Sequence, residues 1–141
     1  MGIWAADVDV NRPGRALGDL RDDEANYANA CAGWTSREDA GEIPDRHVDD
    51  VYVLTDDMLQ ACGDMMRAGR TSQGDFDGVD EMRDRIRSTV DGHHDRLDDA
   101  LAAEAMHQEC DDHHREMVEL LDETEVRLRG GGMMGSSGAM N

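Results

Sequence analysis

The chain has 141 residues, enough for one domain with a modest core, and only 4% of them are aromatic, so Leu, Val, Ile, Met and Ala must fill the interior. Thirty-three acidic residues face fourteen basic ones, a formal net charge of -19, and every base is Arg. Such a surface repels nucleic acid and anionic membranes and attracts cations, and no apolar run approaches the ~20 residues that span a bilayer.

Residues 1–14 carry Trp4, a short apolar alternation and the turn signal Pro13-Gly14, and read as an N-terminal arm. A first helix is predicted from Arg15 to Ala32, because Leu17, Leu20, Glu24, Tyr27, Cys31 and Trp34 recur at steps of three and four. Glu24 interrupts that otherwise apolar face. A polar connector follows from Thr35 to Ile43.

A second helix is predicted from Pro44, a favoured first helical position, to Ala68, with Gly69 as its stop. Its inward face reads His47, Val51, Leu54, Met58, Cys62 and Met65. A Gly/Thr/Ser/Gln loop then leads to a third helical region starting near Phe76.

From Ile86 to Leu128 one stripe repeats at steps of three and four: Ile86, Val90, His93, Leu97, Ala100, Glu104, His107, Asp111, His114, Val118, Leu121, Glu125 and Leu128. It crosses Gly92 in phase, so 76–129 reads either as one long helix or as two split near Gly92 or Asp111. Its ends are apolar and its middle is polar, where a bundle should be driest. Residues 130–141 are rich in Gly, Met and Ser and read as a disordered tail.

The fold class expected is all-α: a bundle of three or four helices over 15–129 with a long C-terminal helix, which dimerisation would complete if that helix were unbroken. No signal peptide is read at Met1–Val10, which lacks a basic region followed by an apolar one.

The polar middle of the stripe carries the functional expectation. Glu104, His107, Cys110, Asp111 and His114 can each ligate a metal, and Glu24 on the first helix is a further candidate. The Glu104/His107 spacing is the i, i+3 pair that ferritin-like di-iron bundles use. Such sites need a second Glu-x-x-His, for which Asp111/His114 is an imperfect stand-in, so the chain is not assigned to that family. The expected function is non-catalytic binding of a transition metal ion, Cu, Zn or Fe. Cys31 and Cys62 are expected as buried thiols or disulfide partners; with no Cys-x-x-Cys pair, zinc-knuckle and thioredoxin spacings are ruled out. The competing expectation is an acidic assembly protein that forms homo-oligomers through amphipathic helices and holds no metal.

Overall fold

A computed structural model describes residues 8–134. The described residues form an all-α bundle: α1 (Arg12–Cys31), a single turn α2 (Arg37–Ala40), α3 (Ile43–Arg67), α4 (Gln73–Asp99) and α5 (Ala103–Gly130). The four long helices pack in a ring, α1 on α3, α3 on α4, α4 on α5 and α5 back on α1. Short connections reverse the chain at each corner, giving an up-down-up-down bundle from one chain.

Local chemistry sets the boundaries. α1 starts earlier than the sequence reading has it, because Pro13 sits inside the first turn, where its missing N–H costs nothing. The Ser36 hydroxyl accepts from the Asp39 amide and opens α2, and Ser72 does the same with Asp75 at the start of α4. Gly69 takes a φ of 75° just after α3, a conformation that favours glycine.

The stretch from 76 to 129 is two helices, and the break is neither at Gly92 nor at Asp111. It lies at Ala100–Ala102, where Ala100 and Ala102 are extended with ψ of 96° and 145°. Gly92 stays inside α4. Three non-helical residues reset the helical phase. The buried face of α5 is Met106, Cys110, His113, Met117, Leu120, Leu121, Thr124 and Leu128: it runs one residue before the extrapolated stripe from Met106 to Met117 and meets it again at Leu121 and Leu128.

Two apolar clusters form the core. The larger gathers residues such as Leu17, Leu20, Met58, Cys62, Met65, Ile86, Met117 and Leu128. The smaller, at the end where α1 finishes and α5 begins, gathers Tyr27, Cys31, Trp34, Ala40, Leu97, Met106 and Cys110. Met133 joins the larger cluster, so the start of the Gly/Met/Ser segment packs on the bundle, and the Thr71 hydroxyl donates to the Gly131 carbonyl there. The arm's Trp4 and the tail from 135 lie outside the described residues. No helix among the described residues is long and apolar enough to cross a membrane.

Candidate metal centre

In the bundle interior each long helix buries one carboxylate or imidazole side chain. Glu24 comes from α1, His47 from α3, His93 from α4 and His113 from α5, and all four are buried. Up-down topology explains the level: Glu24 and His93 lie in the later parts of their helices, His47 and His113 in the earlier parts of theirs.

Three of the four converge. His47 Nε2 and His113 Nε2 are 3.1 Å apart. Glu24 Oε1 lies 3.3 Å from the first and 3.2 Å from the second. Within 4.8 Å of one another, these atoms form a group that could hold a metal ion. Two donors of a tetrahedral ion with bonds of ~2.0–2.1 Å stand roughly 3.3 Å apart, so the triangle already has ligand spacing.

Protons alone satisfy the triangle poorly. A hydrogen bond between the two Nε2 atoms uses one proton. Glu24 Oε1 then has no well-formed hydrogen bond although it is buried, and His113 Nδ1 has no partner either. Buried polar atoms left in that state are costly.

The surroundings orient the three side chains. Asp23 Oδ2 accepts from His47 Nδ1 at 2.7 Å, which leaves Nε2 pointing at the triangle. The other oxygen of Glu24 accepts from His114 Nδ1 at 2.9 Å. The Tyr27 ring stacks on His47 with centroids 3.9 Å apart, and His93 stacks on His113 at 4.0 Å. His93 is held at both ends: Tyr27 donates its O–H to Nε2 at 2.6 Å, and Nδ1 donates to Glu109 Oε2 at 3.0 Å.

The charges follow from these contacts. Burial opposes ionisation of Glu24, but His113 and His47 outweigh it and hold its carboxyl at about 2. Burial also opposes protonation of His47, yet Asp23 and Glu24 raise it to about 9. His93 has no such compensation: burial, then repulsion from His113 and His47, push it down to about 2, so its ring is neutral. Burial raises the Tyr27 phenol, which stays protonated as a donor.

The residues expected from sequence are distributed as follows. Glu24 is in the group. His114 is half-buried and supports Glu24 from outside. Cys110 is buried in the smaller apolar cluster with Cys31, and Cys62 is buried in the larger one; all three thiols are free. His107 donates from Nε2 to the Trp34 carbonyl at 2.6 Å. Glu104 and Asp111 are exposed and are not brought to the group. His47 and His93 occupy inward positions read from periodicity without being read as site residues. His113 is absent from that reading because the reset at Ala100–Ala102 exchanges it with its neighbour His114.

No protein-family model, curated protein or solved structure matches this chain.

Proposed function

We propose that the chain is a transition-metal-binding helical bundle whose ion is held by Glu24, His47 and His113. The observation that carries this reading is the convergence of a carboxylate oxygen and two imidazole nitrogens at ligand spacing in a buried layer. Two imidazoles with one carboxylate suit Zn(II), Fe(II) or Cu(II), and such a three-residue set leaves a further coordination position. The Asp23–His47 hydrogen bond is the carboxylate–imidazole support common at metal sites. The acidic surface draws cations toward the bundle.

One observation favours a second reading. His47 and Glu24 already form a buried ion pair, with His47 raised to about 9 and Glu24 lowered to about 2. The group would then be a structural, proton-bearing layer that sets helix register without a metal. This version sits closer to the assembly-protein alternative, although the apolar faces of all four long helices are buried against one another within the chain.

Titration of tag-free, metal-stripped protein with Zn(II) against a chromogenic chelator separates the two. The metal reading expects one tight ion per chain, lost in His47→Ala. Failure of the wild-type protein to compete for Zn(II), Fe(II) and Cu(II) supports the proton-bearing layer instead.

A further inference from the structure

Cys31 and Cys110 take no part in the Glu24/His47/His113 group. They lie across the α1–α5 interface in the smaller apolar cluster, Cys110 one turn before His113. Both are buried there, and the neighbouring Cys110 thiol, followed by burial, raises the Cys31 thiol. Both line one small pocket of about 70 Å³, together with His107, His114 and Asp111.

The two histidines of the pocket are held by hydrogen bonds of their own. His114 donates from Nδ1 to Glu24 Oε2 and His107 donates from Nε2 to the Trp34 carbonyl. Two thiols without a third preset ligand do not make a zinc site, which takes four donors. Among the described residues, the group of three ligand atoms lies elsewhere, at Glu24, His47 and His113.

We propose that Cys31 and Cys110 form a second, soft-ion site that binds one Cu(I) between two thiolates. Sulfur is the ligand Cu(I) selects, and a buried pair of thiols suits a low coordination number. Binding forms two Cu–S bonds and displaces two thiol protons. The two protons leave to solvent. No electron changes hands, because the ion enters as Cu(I). The site does not depend on the Glu24/His47/His113 reading.

The test is anaerobic titration of the fully reduced full-length protein with Cu(I) in competition with bicinchoninate. Wild type is expected to hold one Cu(I) per chain and to gain the ultraviolet thiolate-to-copper charge-transfer band. Cys31→Ala and Cys110→Ala, each removing one thiolate without adding a polar atom to the core, are expected to lose both signals. Cys62→Ala, which removes the third buried thiol from the other apolar cluster, is expected to keep them. Retention of Cu(I) by either Cys31→Ala or Cys110→Ala overturns the proposal, as does loss in Cys62→Ala or absence of uptake by the reduced wild type.

Discussion

His47 Nε2 and His113 Nε2 face each other across the bundle at 3.1 Å, with Glu24 Oε1 closing the triangle. Two imidazole nitrogens at that distance share either a proton or a metal ion. His114, next in sequence to His113, contacts only the far oxygen of Glu24 and is 42% exposed. His113→Ala should therefore abolish tight Zn(II) binding, whereas His114→Ala should weaken it by about tenfold, the lower end of the range for a supporting residue. Competition titration of the two variants checks the difference.

Proton linkage gives a second expectation. His47 is protonated below about 9 in the folded, metal-free protein, and a metal ion must displace that proton from Nε2. Zn(II) affinity should rise by about tenfold per pH unit through neutral pH, flattening above about 9, as one displaced proton requires. An affinity independent of pH between 6 and 8 would contradict this role for His47.

Stability of the metal-free protein should peak near pH 6.5. His47, raised from 6.5 to about 9, contributes stability fully below 6.5 and loses it as pH rises through 9. His93, lowered from 6.5 to about 2, contributes above 6.5 and loses it as pH falls. Glu24, lowered from 4.5 to about 2, adds a further acid loss below 4.5. Chemical denaturation across pH, with chelator present, measures the curve; His93→Phe should flatten its acid limb between 6.5 and 4.5.

Removing Glu24 leaves His47 without its buried counter-charge. Glu24→Ala should destabilise the metal-free protein by about 3 kcal/mol near neutral pH, the scale for breaking one side of a buried pair. Asp23→Asn keeps the shape beside His47 but removes the carboxylate that orients it. It should reduce metal affinity about 10–100-fold while leaving one ion bound per chain.

The bundle was legible because steps of three and four locate buried faces. Glu24 stood out as the acid that interrupts the apolar face of the first helix, and it is 1% exposed. His47 and His93 were equally visible as inward positions, but a single histidine on a helix says nothing about what it meets across the core. The convergence depends on four helices reaching the same level, which turn lengths and topology decide. The choice between His113 and His114 was not legible at all. Ala100, Leu101 and Ala102 contain no Gly or Pro to mark a break, while Gly92 carries the mark and stays helical. The missed break moves the face by one position over the first half of α5, from Met106 to Met117, and Glu104 and Asp111 entered the expected ligand set by the same shift.

The central claim is that one ion sits among Glu24, His47 and His113. Anomalous diffraction at the zinc edge from crystals of the protein loaded with one equivalent of Zn(II) tests it most directly. The account predicts a single peak bonded to Glu24, His47 Nε2 and His113 Nε2. A peak on the exposed face of α5 near Glu104 or Asp111, or no peak within the buried layer, would contradict it.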